Sequence, residues 1–171
     1  MTRTLRLVIA ACGLALAVGC DDSPTAPTQQ NATFTAQLSP ANEVPPVGNA
    51  EASGSGTVSI YLVVNRDSGG AITSATADFT TSLAGFPIGT QLTMAHIHRG
   101  TLGNIGVIEV DTGLTAGEVI LTTGAGTFAK TGVGVAPTIA QQILSNPAGF
   151  YFNVHSVLNG SGMARGQLVR Q

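Results

Sequence analysis

Three histidines are the residues of this chain whose type and spacing best suit chemistry. His96 and His98 are separated by one residue, and His155 stands in a second strand-like segment further along the chain. Because an extended chain points residues i and i+2 to the same side, His96 and His98 face one way, with Cα atoms roughly 6.5–7 Å apart. Two imidazoles placed in this way are suited to sharing one ion or to forming a polar cluster.

A metal site is one interpretation of these histidines. His96, His98 and His155, with Glu43 or water as a fourth ligand, form a donor set that suits Zn²⁺ or Cu²⁺. The other interpretation is structural, because neutral histidine donates and accepts hydrogen bonds at once and can fix loops across a sheet face. Sequence leaves both open. A metal site predicts that His96→Ala loses the ion, and a structural cluster predicts that it loses stability.

Four further residues are candidates for a structural role at this site: Arg165, Asn153, Pro45 and Pro46. Arg165 is expected to reach the Glu43 carboxylate in a bidentate pair that ties the last strand to the first loop, or else to be a solvated strand residue. Pro45 and Pro46 are expected to stiffen the loop that follows Glu43, or else to end strand pairing at a sheet edge.

Nucleophilic catalysis finds little support in the sequence. Ser156 follows His155 directly, and adjacent strand residues point to opposite faces, so the two cannot form a dyad in a regular strand. The chain contains no Gly-x-Ser-x-Gly elbow and no phosphate-binding glycine loop. We therefore expect a protein that is not an enzyme, with metal-dependent activity as the exception left open.

The first 19 residues are predicted to be an export signal. Arg3 and Arg6 precede an apolar run that is short for a membrane-spanning helix. The run ends in LAVGC at residues 16–20, which resembles the bacterial lipobox, where lipid is attached to the cysteine. This resemblance predicts a lipoprotein anchored through Cys20 in a membrane of the bacterial cell envelope. The alternative is an ordinary secretory signal in which Cys20 is incidental.

The composition limits the partners of the exported chain. Charged residues make up 9% of the sequence, against roughly 25% in a typical soluble domain. No basic cluster is present, which argues against nucleic acid as a partner. We expect an envelope or extracellular protein or ligand instead.

The remaining sequence is predicted to be a flexible tether at residues 20–31 and one all-β domain at residues 32–171. β-branched or alternating segments begin near residues 34, 58, 72, 92, 105, 119, 150 and 163, with glycine-rich turns between them. This pattern favours a Greek-key-like antiparallel β-sandwich or barrel. One short helix is predicted near residues 137–145, where Pro137 suits the first turn and an apolar stripe follows.

Four segments, in order, resemble the CHRD domain. They are QLSPANEVPP (37–46), MAHIHRG (94–100), FYFNVHS (150–156, which includes Asn153) and GMARGQL (162–168). Their order and spacing carry a resemblance that covers residues 34–168. The resemblance implies an all-β extracellular or periplasmic module that acts in binding or as a structural element.

A second resemblance is to the Cu/Zn superoxide dismutases. Leu83-Ala84-Gly85 followed by His96-Ile97-His98 looks like the His-x-His strand of that Greek-key family. A bimetallic dismutase needs further His and Asp ligands and a disulfide, whereas this chain has only His155 left. The count excludes that chemistry and leaves a distant likeness of fold as an analogy.

Overall fold

The structure is a computed structural model that describes residues 26–171. The predicted signal sequence and Cys20 lie outside the described residues. Within this range the chain forms two antiparallel sheets and one α-helix. The elements are β1 (Thr28–Leu38), β2 (Ser55–Arg66), β3 (Ile72–Ala84), β4 (Thr90–Arg99), β5 (Val107–Asp111), β6 (Ile120–Leu121), β7 (Gly126–Val135), α1 (Pro137–Ser145), β8 (Phe150–Ser156), β9 (Ala164–Gln167) and β10 (Val169–Arg170).

Sheet 1 has the strand order β10-β1-β2-β3-β7. Its long strands alternate between buried apolar and exposed polar side chains, as a sheet with one solvated face requires. A tight turn joins β2 to β3, where the Asp67 carboxylate accepts hydrogen bonds from the backbone N–H groups of Gly69 and Ala71. Gly70 adopts a φ of 84°, a conformation that glycine tolerates without steric cost.

Sheet 2 has the order β5-β4-β8-β9, with β6 paired to the start of β4. All seven residues of β8 are buried, so this sheet is covered on both faces. One face packs on sheet 1, where Phe152 stacks on Phe79 with ring centroids 5.7 Å apart. The predicted all-β sandwich is therefore confirmed.

The helix lies where the sequence predicts it. Pro137 occupies the first turn, and Ile139, Ala140 and Ile143 are buried against the sandwich. No helix in the described part of the chain is long and apolar enough to span a membrane.

The predicted tether is wrong in its last residues. β1 begins at Thr28 and pairs with β2 from there, with Thr28 opposite Arg66 and Asn31 opposite Val63. Residues 28–31 are polar and exposed, so they carry no apolar alternation that would mark a strand. Their extended form comes from hydrogen bonding to a long neighbouring strand, which the local sequence does not encode.

Strand β7 was not predicted. Its sequence, GTFAKTGVGV, contains three glycines, which weaken the strand signal. Lys130 and Ala129 pair with Phe79 and Thr80 of β3. We therefore attribute the extended conformation of β7 to its backbone hydrogen bonds with the edge of β3.

Candidate functional site

Strand register assembles a row of polar side chains on the outer face of sheet 2. His96 on β4 pairs with Asn153 on β8, and Asn153 pairs with Arg165 on β9. The adjacent row pairs His98 with Tyr151. Because alternate residues of a strand share a face, these side chains lie together while the residues between them enter the apolar core.

Loops cover this polar face. The backbone carbonyls of Asn42, Gly106 and Gly160, one from each of three loops, accept hydrogen bonds from side chains on the sheet. As a result the polar side chains are almost completely removed from solvent: Arg165 is 2% exposed and His96 is 3% exposed. A buried polar layer of this kind is stable only where its groups find partners.

The three histidines meet in this layer, as the sequence predicts. One nitrogen from each ring lies within 4.8 Å of the others. His96 Nδ1 lies 3.3 Å from His155 Nε2, and in the absence of an ion it donates a hydrogen bond to that nitrogen. In a tetrahedral zinc site with Zn–N bonds of 2.0–2.1 Å, two ligand nitrogens stand about 3.3–3.4 Å apart. One edge of the cluster thus has the length that tetrahedral coordination requires.

Two loop carbonyls fix the tautomers of two histidines. His98 Nδ1 donates to Gly106 O and His155 Nδ1 donates to Gly160 O, each at 3.0 Å. A carbonyl oxygen only accepts, so the lone pair of each ring is on Nε2. His98 Nε2 is buried and has no hydrogen-bond partner among the described residues. A ring that donates one N–H to a carbonyl and leaves the other nitrogen free is the usual arrangement of a metal ligand.

Burial keeps the three imidazoles neutral. Desolvation lowers the pKa of His96 and of His98, and it lowers the pKa of His155 to about 4. The Asp111 carboxylate, 3.7 Å from His96 Nε2, acts in the opposite direction on the pKa of His96. Neutral imidazole is the form that binds metal ions, so the cluster is ready to coordinate at neutral pH.

Tyr151 links the cluster to Arg165. Its ring stacks on His98 with centroids 4.9 Å apart and an interplanar angle of 3°. The guanidinium carbon of Arg165 lies 4.6 Å from the Tyr151 ring centroid, a cation–π contact. The Tyr151 hydroxyl also accepts a hydrogen bond from the Gly106 N–H. Tyr151 thus orients His98 and connects it to the loop that sets its tautomer.

Glu43 does not join the three histidines. It lies beside Asn153 and Arg165, outside the group of nitrogens that lie within 4.8 Å of one another. Desolvation raises its pKa to about 7, against opposing effects of the Arg165 charge and an Asn153 hydrogen bond. The expectation that Glu43 is the fourth ligand is therefore wrong: the described residues bring together the three histidines alone.

Arg165 ties β9 to the first loop, but through different atoms from those expected. Its Nε donates to Asn42 O and its Nη1 donates to Asn104 O at 2.9 Å. No bidentate pair with Glu43 forms. The register of β9 and the length of the Arg165 side chain place its guanidinium beside the backbone carbonyls of Asn42 and Asn104. Arg165 is buried, so the alternative of a solvated strand residue is also wrong.

Pro45 and Pro46 lie in the loop after Glu43 and line a cleft of about 290 Å³. Residues 43–48 form one wall of this cleft and residues 158–162 form the other. The proline pair thus shapes an opening beside the polar layer.

Sequence reasoning missed Tyr151, Gly106 and Gly160 as parts of the site. Tyr151 is four residues before His155 and therefore shares its face of the strand, which was an available signal. The two glycines act through backbone carbonyls, for which residue type gives no signal.

The family model of the CHRD domain matches residues 34–168. Among curated proteins none matches the chain, and among solved structures none does.

Proposed function

This chain belongs to the CHRD domain family, and from that membership and its buried histidines we propose that it is an exported binding module whose ligand is a transition metal ion. The family is consistent with a structural or binding role. Zn²⁺ and copper are the ions that three imidazole donors suit best. His96, His98 and His155 would hold the ion, and water or a donor from a partner would take the fourth position.

One observation carries the proposal: His98 Nε2 is buried with its lone pair unused, in a group of three neutral imidazoles. A purely structural cluster would leave this nitrogen without a hydrogen bond, at a cost of about 1–3 kcal/mol. A bound ion removes that cost. The same observation favours metal binding over the structural interpretation of the three histidines.

The proposed location is the cell envelope. It rests on the predicted export signal at residues 1–19 and on the lipobox-like sequence that ends at Cys20. Lipid on Cys20 would anchor the module to a membrane, where an envelope or extracellular protein or ligand would be its partner.

The experiment that tests the metal proposal is elemental analysis of the domain after removal of residues 1–20, purified without a histidine tag. Starting at residue 21 keeps β1 whole. The metal-free protein is incubated with Zn²⁺ or Cu²⁺, freed of excess ion and analysed for bound metal. We expect about one ion per chain, and its loss in the His96→Ala/His98→Ala variant.

Arg99→Ala is the matched control, because Arg99 follows His98 in β4 and its side chain is half exposed in a pair with Glu109. This variant should bind as much metal as the wild type. A folded wild-type domain that takes up neither ion would contradict the proposal, and the histidines would then be structural.

A further inference from the structure

We propose that a second cleft, which has Glu51 in its wall, binds the ammonium group of an amine that carries an apolar chain. The cleft has a volume of about 460 Å³ and is lined by residues 50–51, 87–91 and 157–158. None of the three histidines lines it, so this site does not depend on the proposed metal function.

Glu51 is a buried carboxyl group with no cation beside it. The residue is 2% exposed, and among the described residues no basic side chain lies within ion-pair distance of it. A buried charge is costly unless an opposite charge or sufficient hydrogen bonds compensate it. Because Glu51 also lines an open cleft, a cation that enters the cleft can provide this compensation.

The hydrogen bonds of Glu51 leave one of its two oxygens for a ligand. Its Oε2 accepts from Ser156 Oγ at 2.7 Å and from Asn159 Nδ2. The orientation of the Asn159 amide is fixed by a reciprocal pair of hydrogen bonds with the Asn49 amide. Hydrogen bonds from the described residues thus reach Oε2 alone, and Oε1 is the acceptor that we assign to the ligand.

The other walls of the cleft suit an apolar chain. Ile88, Val157 and Leu158 line the cleft, and each is more than half exposed. Single apolar side chains on a surface are ordinary, but three that line one cleft indicate a contact surface. No lining residue is basic, and the formal net charge of the chain is −2. The charge therefore favours a cation over an anion as the polar end of the ligand.

Backbone hydrogen bonds hold the cleft in shape. The Val157 N–H donates to Gln91 O at 3.0 Å and joins the segment after β8 to the beginning of β4. Thr90 Oγ1 donates to Pro87 O at 2.9 Å and fixes the turn before β4. A cleft formed in advance loses little conformational entropy when a ligand binds.

An alkylammonium ion matches both parts of the cleft. Its N–H would donate to Glu51 Oε1 in a charge-assisted hydrogen bond, and its chain would cover Ile88, Val157 and Leu158. A free amine and the lysine side chain of a polypeptide both offer this chemistry.

The test is calorimetric titration of the metal-free domain with hexylamine, with 1-hexanol and with methylamine. We expect saturable binding of hexylamine. 1-Hexanol has the chain without the charge and methylamine has the charge without the chain, so each should bind about tenfold more weakly or worse. Nα-acetyl-lysine amide distinguishes the two sources. An affinity within about threefold of hexylamine indicates a lysine side chain, and a weaker one indicates a free amine.

Glu51→Gln assigns the binding to this cleft. Its amide oxygen can still accept from Ser156 and Asn159, so the variant should fold, but the charge is gone and an N–H₂ group replaces the free acceptor. Hexylamine affinity should fall about tenfold or more. Asp78→Asn is the matched control, because it removes one negative charge from an exposed position of β3 and keeps an acceptor for the Gly132 N–H. It should bind hexylamine as the wild type does.

A second pair of variants tests the apolar walls and leaves Glu51 unchanged. Ile88→Ser should weaken hexylamine binding about threefold, because it removes apolar contact area from the cleft. Ile105→Ser changes an equally exposed isoleucine that does not line the cleft, and it should have no effect.

Three results would overturn the proposal. The first is the absence of saturable hexylamine binding to the folded wild-type domain, which would leave Glu51 as a structural acceptor. The second is an affinity for 1-hexanol or methylamine equal to that for hexylamine. The third is unchanged affinity in a folded Glu51→Gln or in Ile88→Ser. Because these titrations contain no metal ion, they are independent of the uptake of Zn²⁺ or copper by the histidines.

Discussion

The two faces of sheet 2 are both buried, but by different means. The inner face packs apolar side chains such as Phe152 and Ile97 against sheet 1. The outer face carries histidines, Asn153 and Arg165 under loops that supply backbone carbonyls. The inner face is held by area removed from water and tolerates changes of shape better than changes of polarity. The outer face depends on particular atoms at particular distances. The difference places the proposed metal-binding chemistry on the outer face, and we expect most of the stability to come from the inner one.

The largest expected effect on stability comes from removing a large apolar side chain from the inner face. Phe152→Ala removes a completely buried ring that stacks on Phe79, and it should lower the free energy of unfolding by about 3–5 kcal/mol. Denaturant unfolding followed by circular dichroism measures this. The folded fraction should still bind the same amount of metal per chain. A loss of less than about 1 kcal/mol would contradict the division of roles between the faces.

Acid should weaken the outer face. Burial lowers the pKa of His155 from 6.5 to about 4, so the unfolded chain takes up a proton below pH 6.5 that the folded chain refuses. The stability that His155 contributes is present above pH 6.5 and is lost as the pH falls through 4, by about 3 kcal/mol. His96 and His98 shift in the same direction.

The measurement is denaturant unfolding of the metal-free domain between pH 7.5 and pH 4.5. It is best made in Glu43→Gln, which removes an opposing titration. A free energy of unfolding that stays constant or rises on acidification would contradict the buried state of the histidines.

Glu43 should respond to pH in the opposite sense. Its pKa is raised from 4.5 to about 7 in the folded protein, so the stability that it contributes is present below pH 4.5 and is lost as the pH rises through 7. We therefore expect Glu43→Gln to be more stable than the wild type above pH 7, by up to about 3 kcal/mol. The difference should vanish below pH 4.5. Parallel unfolding curves of the two proteins across this range provide the check, and a constant difference would refute it.

The smallest expected effect concerns one hydroxyl. Tyr151→Phe keeps the stack on His98 but removes the acceptor of the Gly106 N–H, which donates at 3.1 Å. The free energy of unfolding should fall by about 1 kcal/mol. Metal affinity should change little, because Gly106 O still sets the His98 tautomer. A large loss of affinity would show that the hydroxyl has a role in the site beyond holding the loop.

Sequence predicted the parts of the fold that local pattern determines. The alternation in β2 and β3 and the proline at the start of α1 mark elements that the structure contains. The beginning of β1 at Thr28 and the whole of β7 are set by neighbouring strands, because polar residues and glycines there carry no strand signal of their own. These segments are extended because they form backbone hydrogen bonds with β2 and β3, respectively.

The same distinction applies to the site. The i, i+2 spacing places His96 and His98 on one face, and the second strand-like segment supplies His155. The position of Glu43 depends on the path of a loop. This loop places the Glu43 carboxyl beside Arg165 and Asn153 and not beside the histidines. The backbone carbonyls that determine the histidine tautomers cannot be predicted from residue type, because every residue has a carbonyl group. Sequence therefore predicts the ligands better than it predicts what orients them.

The order of strands in the two sheets also determines when binding becomes available. β1, β2 and β3 pair with their sequence neighbours, and because these contacts are local we expect this meander to form early. The outer face of sheet 2 joins distant segments: β4 pairs with β8, and Ser39 bridges to Arg165 near the C-terminus. Such pairings close long loops, so we expect them to form after most of the chain has been synthesised. The proposed metal site, with His96 on β4 and His155 on β8, therefore depends on the contacts that we expect to form last.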